Sequence, residues 1–288
     1  MYLAEHLKLN QYRAIKCIPK TLSRSASPDM EAGLLKNLRH PGIPMIYDTE
    51  EDESYYYVVE EYIQGESLFA FVQNQDNISQ ETVISFGIQL CEIIEYLHNQ
   101  KPKPILYLDL KPEHIILCGK QLKLIDFSIA TELNDSGNLF RSCGTRGFAA
   151  PEQYTGCGIK QQTDIFGIGA VLYYMLTKEI LPPLLKASFT FPKYCSNNFK
   201  KIILKAVSPG LEQRYRYVEQ LRLELEKLYS GRIAEIASLR KNQCNRKSET
   251  NRYHTYCSSH CKLAESTGKK RILSGKKRDR VFAITSEL

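Results

Sequence analysis

The chain has 288 residues, 43% of them hydrophobic and 25% charged, which excludes wholesale disorder and leaves room for one large domain or two modest ones. The net charge of +7 is unevenly spread: residues 231–288 hold 14 Lys/Arg against 5 Asp/Glu, so any contact with nucleic acid or an anionic surface belongs to that basic tail alone. The longest uncharged apolar run, Ile165–Thr177, is 13 residues, too short for a bilayer, which takes about 20. The opening MYLAEHLKLN lacks the apolar core and cleavage site of a secretory signal. Nine cysteines, mostly scattered through apolar stretches (Cys17, Cys91, Cys118), suit free thiols in a reducing cytoplasm better than a disulfide framework.

In chain order, Tyr12–Ile18 and Tyr55–Val59 are rich in aromatic and β-branched residues and predict strands. Between them Ser27 is placed to cap a helix with Pro28 at its first position and Met30, Leu34 and Leu38 along one face, stopped by Pro41-Gly42. After Gly65 the pattern turns helical. Ser79 caps a helix carrying Val83, Phe86, Leu90, Ile93 and Leu97 at helical spacing. Short strands follow at Ile115–Leu117 and Leu122–Ile125, joined through Gly119. Residues 163–177 are apolar almost all round, the signature of a helix at the centre of a lobe. Val218, Leu221, Leu225 and Leu228 mark a last amphipathic helix ending near Gly231. The order is a strand-rich small lobe, a hinge at Gly65, a helical large lobe and a basic tail.

The chemistry concentrates in two stretches. Ile105–Leu117 contains Asp109 and Lys111 in a loop between a helix and a strand, and Asp126 follows in LIDFS at the end of the next strand. Two carboxylates at neighbouring strand ends with a lysine between them can hold a metal–phosphate group and accept a proton. Phosphoryl transfer asks for that arrangement, because its catalysis is mostly positioning and charge neutralisation.

With these motifs in their order, residues 1 to about 230 resemble the eukaryotic-like (Hanks-type) bacterial serine/threonine protein kinases. Ala14-Ile15-Lys16 matches the strand that carries the nucleotide lysine, and Glu31 matches the glutamate that pairs with it. Tyr107-Leu108-Asp109 stands for H-R-D, Asp126-Phe127-Ser128 for D-F-G, and Ala150-Pro151-Glu152 for A-P-E, with Gly144-Thr145 before it. Asp164 heads the buried helix, and Arg214 stands where the family places the partner of the A-P-E glutamate.

The resemblance implies an α+β, two-lobed protein-kinase-like fold, with an N-lobe over 1–64, a C-lobe over 65–230 and a basic tail or linker over 231–288. It implies ATP as phosphate donor, Mg²⁺ with Mn²⁺ as the alternative, and protein substrates bearing Ser or Thr. Asp109 is then the acceptor of the substrate hydroxyl's proton. Lys111 neutralises the moving phosphate, and Thr145 ties the activation segment to the catalytic loop. Lys16, oriented by Glu31, holds the phosphates, and Ala14, Glu61 and Ile63 are the other ATP-binding residues. Asp126 and His114 occupy the metal-binding positions, and Glu152, Asp164 and Arg214 are structural. Leu35, Tyr107 and Phe127 stack into the apolar column between the lobes. The alternative reading is a catalytically weak pseudokinase acting as a nucleotide-binding scaffold.

The departures set the remaining expectations. The family's Gly-rich loop would end where Met1 stands, so the domain reads as N-terminally truncated, with the gene product expected to start upstream. His114 replaces the metal-binding Asn, and it reads either as a ligand favouring a softer ion or as a loop histidine near the surface. Leu108 replaces the arginine that receives an activation-loop phosphate, predicting that this switch is not needed. Glu60, at a usually apolar position at the back of the nucleotide site, reads as a solvated strand residue, the alternative being a competitor of Glu31 for Lys16. In the tail, His254, Cys257, His260 and Cys261 and the runs 269–271 and 276–278 read as solvated linker. The final VFAIT reads as one strand without a partner.

Overall fold

The computed structural model describes residues 1–22, 33–133, 144–156, 158–182, 188–231 and 282–287. The small lobe is an antiparallel sheet. Strand β1 (Tyr2–His6) turns into β2 (Gln11–Pro19), which pairs with β4 (Tyr55–Glu61), and β4 pairs with β3 (Ile46–Glu51). The register sets Ala14 opposite Glu60 and Lys16 opposite Val58, and the two-residue period puts Ala14 and Lys16 on one face. The helix expected to begin at Ser27–Pro28 lies mostly outside the described residues; residues 33–35 are helical, and Leu35 and Leu38 are buried.

One expectation is overturned at the far end of the chain. The strand expected in VFAIT forms, but it has a partner: β10 (Phe282–Glu287) lies antiparallel beside β1, giving the sheet order β10-β1-β2-β4-β3. Its local pattern specified a strand and carried nothing about which edge it would find.

The hinge residue Gly65 has no room for a side chain, because a Cβ there would stand 2.4 Å from the carbonyl oxygen of Leu117. Beyond it, β5 (Glu66–Ser67) pairs with β7 (Ile115–Cys118), which pairs with β8 (Gln121–Leu124) through a turn whose Gly119 adopts φ +63°. Helix α1 (Leu68–Asn74) follows β5, capped by the Ser67 hydroxyl. Strand β6 (Ile105–Leu106) pairs with β9 (Thr131–Glu132).

Helix α2 (Gln80–His98) starts as expected, with the Ser79 hydroxyl accepting from the Thr82 amide. It packs on α4 (Gln161–Thr177), whose residues 163–176 are all buried. Gly87 allows this approach, since a Cβ there would meet Leu172 at 2.8 Å. Helix α3 (Pro151–Thr155) precedes α4, and α5 (Asn197–Ala206) lies against it. The last helix, α6, covers 218–231 with Val218, Leu221 and Leu225 buried. One continuous core runs from Leu35 and Leu38 through Tyr107 and Phe127 into α4, and the Leu124 amide donates to the Gly42 carbonyl at 2.8 Å across the lobes.

Candidate active site

The loop after β6 is built from its backbone outward. Asp164, 1% exposed in the first turn of α4, accepts from the amides of Tyr107 (3.0 Å) and Leu108 (2.8 Å). Its second oxygen also meets His98 Nε2 at 2.8 Å; a carboxylate can only accept, so that nitrogen carries the hydrogen. Gln153 donates its amide to the Leu108 carbonyl at 2.8 Å. These bonds hold Leu108 at φ +68°, a left-handed conformation that costs a non-glycine residue about 1–2 kcal/mol. The turn aims Asp109 into the cleft.

Asp109 is met from three sides. The Thr145 hydroxyl donates to its Oδ1 at 2.8 Å, and Lys111 Nζ lies 3.1 Å from Oδ2 while also donating to the Thr145 oxygen at 3.2 Å. His114 Nδ1 is 3.2 Å from the same Oδ2. On the neighbouring strand end, Asp126 adopts φ +61°, and its Oδ1 takes Lys16 Nζ at 2.9 Å. Burial by itself would raise the Asp126 carboxyl, but the Lys16 ammonium, the Ser128 side chain and the His114 ring prevail and hold it at about 2. Lys16 from the small lobe and Asp109 and Asp126 from the large lobe therefore face one cleft.

His114 bridges the two carboxylates, its Nε2 lying 3.4 Å from Asp126 Oδ2. Its side chain is 12% exposed, so it is not a surface histidine. Burial lowers its pKa, partly opposed by Asp109 and Asp126. Nδ1 is buried without a hydrogen bond, although Asp109 Oδ2 lies 3.2 Å away. Among the described residues no three His, Cys, Asp or Glu side chains are arranged to hold a metal on protein ligands alone. Magnesium bound through one carboxylate and substrate phosphates needs no such cage, so the Asp126 oxygens fit it; an imidazole is a poor magnesium ligand.

The remaining expected residues distribute as follows. Ala14 is 5% exposed under the sheet, and Ile63 is half-buried just past β4. Glu61 sends its carboxylate to Lys123, while its amide donates to the Met45 carbonyl at 2.9 Å. Glu31 lies outside the described residues. Glu60 corrects the expectation of a solvated strand residue: it is 7% exposed, in register with buried Ala14. Leu35, Tyr107 and Phe127 are each at most 1% exposed, and the Tyr107 and Phe127 rings meet edge-on with centroids 5.0 Å apart. Glu152 and Arg214 form a bidentate pair at 2.6 and 2.9 Å, with Thr163 donating to the same carboxylate at 2.9 Å.

A lysine from the strand lobe facing two loop carboxylates, with a buried Glu–Arg pair behind them, is a kinase arrangement, and residues 1–242 match the model of the protein kinase domain. The chain belongs to the protein kinase domain family. This kinase domain is 28% identical to the serine/threonine-protein kinase PknB of Mycobacterium tuberculosis, covering 82% of this chain and 41% of that protein. It is 27% identical to a probable serine/threonine-protein kinase, SCO3848, of Streptomyces coelicolor, covering 80% of this chain and 38% of the relative. With the carbon catabolite-derepressing protein kinase of Candida tropicalis the identity is 30%, over 70% of this chain and 35% of the relative. The chain thus spans about two fifths of the length of these relatives or less. No described helix of the kinase domain is long and apolar enough to cross a membrane.

Two residues of the site escaped the sequence reading. His98 is the last residue of an amphipathic helix, and Gln153 follows the A-P-E glutamate; neither sits in a spacing that signals a role. Their partners, Asp164 and the Leu108 carbonyl, are 66 and 45 positions away, and only the folded chain joins them.

Proposed function

We propose that this chain transfers the γ-phosphate of ATP to Ser or Thr hydroxyls of protein substrates. The observation that supports it best is the convergence of Lys16, Asp109 and Asp126 on one cleft, with Lys111 and Thr145 both engaged at Asp109. The Ser/Thr preference rests on what the relatives are named for. Lys16 binds the α- and β-phosphates. Asp109 takes the proton of the acceptor hydroxyl as its oxygen bonds to the γ-phosphorus and the bond to the β-phosphate oxygen breaks. Lys111 offsets the charge of the phosphoryl group in transit, and Thr145 fixes the Asp109 rotamer. Asp126 would hold a divalent ion, which when bound neutralises charge on the triphosphate. Glu152, Asp164 and Arg214 keep the large-lobe loops in place. The test is incorporation of labelled phosphate from ATP into a generic Ser/Thr protein; incorporation no higher than that of an Asp109→Asn blank ends the proposal.

A reducing, cytoplasmic setting agrees with the free thiols of Cys17, Cys91, Cys118 and Cys195.

Leu108 supports activity without a phosphorylated activation segment. It is 5% exposed and packs with Leu106 and Ile159, so an apolar cluster fills the place where an arginine would await a phosphate. Phosphatase treatment of the purified chain is expected to leave its turnover within twofold of the untreated value; a loss of tenfold or more contradicts this.

His114 sets the metal preference. Its imidazole stands between the two carboxylates where an oxygen ligand would suit magnesium better. His114→Asn is expected to lower the Mg²⁺ concentration for half-maximal activity several-fold and to reduce any advantage of Mn²⁺. Identical titrations of both proteins with both ions would remove His114 from the metal site.

A further inference from the structure

Asp109 has to be aimed without help from an arginine, because Leu108 stands in that place. We propose that Gln153 is the positioning residue for Asp109: its side-chain amide joins the segment 144–150 to the backbone of the catalytic loop, so the loop is competent only while that segment is in place. The inference rests on the kinase reading and names how its site is controlled.

Gln153 lies on α3 and is 2% exposed. Both ends of its amide are used: Nε2 donates to the Leu108 carbonyl at 2.8 Å, and Oε1 accepts from the Ala150 amide at 2.9 Å. A carboxylate could only accept and a lysine or arginine could only donate, so neither could make this bridge. The Ala150 end belongs to a hydrogen-bonded unit. The amides of Phe148 and Ala149 donate to the Thr145 carbonyl at 3.0 and 2.8 Å, and the Gln153 amide donates back to the Ala150 carbonyl at 2.9 Å. The start of the segment is folded tightly onto the bridge, since a Cβ at Gly144 would stand 2.9 Å from Gln153 Nε2.

The other end of the bridge controls Leu108. Asp164 holds the Leu108 amide at 2.8 Å and Gln153 holds its carbonyl, so both dihedrals of one residue are fixed from outside. At φ +68° a leucine is in a conformation that it leaves once released, and Asp109 is the next residue. The two clamps differ in what carries them. Asp164 sits in the first turn of α4, within the buried stretch 163–176. Gln153 sits on a helix of five residues bonded to the segment before it. From that same segment the Thr145 hydroxyl donates to Asp109 Oδ1 at 2.8 Å. One segment thus grips the loop twice, at the backbone before Asp109 and at its carboxylate. Both grips are made by neutral groups, so the coupling needs no phosphate as counter-charge.

Steady-state kinetics on the full chain test this, with saturating ATP, a generic Ser/Thr protein as acceptor and Asp109→Asn as the blank. Gln153→Met keeps the length of the side chain and removes both bonds. Gln153→Asn keeps an amide that is one methylene too short to span them. Each is expected to lower kcat by about ten- to a hundredfold, with the KM for ATP and the ADP affinity by calorimetry within twofold of the parent. Adding Leu108→Gly to either variant should raise its kcat at least fivefold, because glycine takes a positive φ without steric cost. A role in packing alone predicts a further loss there, since the Leu108 side chain is buried against Leu106 and Ile159. Turnover within twofold of the parent in both Gln153 variants overturns the proposal, and so does a Leu108→Gly addition that recovers nothing. Loss of the melting transition, or of ADP affinity in step with rate, makes Gln153 a residue of the fold and overturns it as well. A parent that transfers no more phosphate than the blank takes this inference down together with the kinase reading, and is told apart by the parent's own failure.

Discussion

Asp109→Asn is expected to lower phosphate transfer by about a thousandfold while leaving nucleotide affinity within a few-fold of the parent. The substitution keeps the shape of the side chain and an oxygen that can accept from the Thr145 hydroxyl, now 2.8 Å away. It removes the negative charge and with it the place where the acceptor's proton goes. Lys16 and Asp126, which meet the phosphates and the metal, are paired with each other at 2.9 Å and are untouched. Rates measured with saturating ATP and a generic Ser/Thr protein, alongside ADP binding by calorimetry, separate the two effects. A variant retaining more than a tenth of the parent's rate would exclude Asp109 as the proton acceptor. Equal loss of binding and rate would mean that the residue shapes the nucleotide site instead.

Arg214→Ala is expected to destabilise the fold by about 3–5 kcal/mol, because it strands the Glu152 carboxylate in the interior. Arg214 is 4% exposed and Glu152 8% exposed; their two nitrogen–oxygen contacts are 2.6 and 2.9 Å. The guanidinium also donates to the carbonyls of Ser208, Gln162 and Pro209 and lies 4.9 Å over the Phe166 ring, so its removal opens four further contacts. In thermal unfolding this amounts to a drop in Tm of roughly 6–20 °C for a domain of this size. Adding Glu152→Gln in the Arg214→Ala background should recover part of the loss, since a neutral amide is cheaper to leave buried than a carboxylate. A single variant melting within 2 °C of the parent would show that water reaches the pair in solution.

Long periodic segments were the legible part of this fold. Val83, Phe86, Leu90, Ile93 and Leu97 recur at helical spacing and are all buried in α2, and the apolar run at 163–177 is the buried α4. Strands β5, β6 and β9 were not legible, because a two-residue strand is too short to show a period. Glu60 marks another boundary. Its strand was plain in the aromatic and β-branched run around it, yet alternation cannot say which face of a sheet will be covered, and a charged residue was assigned to water when it is in fact 7% exposed.

The site divides along the same line. From the sequence came the fold class and, through the resemblance of its motifs to the kinase family, the family itself and Lys16, Asp109, Lys111, Asp126, Glu152 and Arg214 as candidate residues. Only the tertiary structure decided that His114 lies between both carboxylates, that His98 and Gln153 hold the loop bearing Asp109, and that the last strand of the chain closes the first. Those contacts join residues that are far apart along the chain or on opposite walls of a cleft. They arise from the packing of whole elements, a quantity that no window of neighbouring residues encodes.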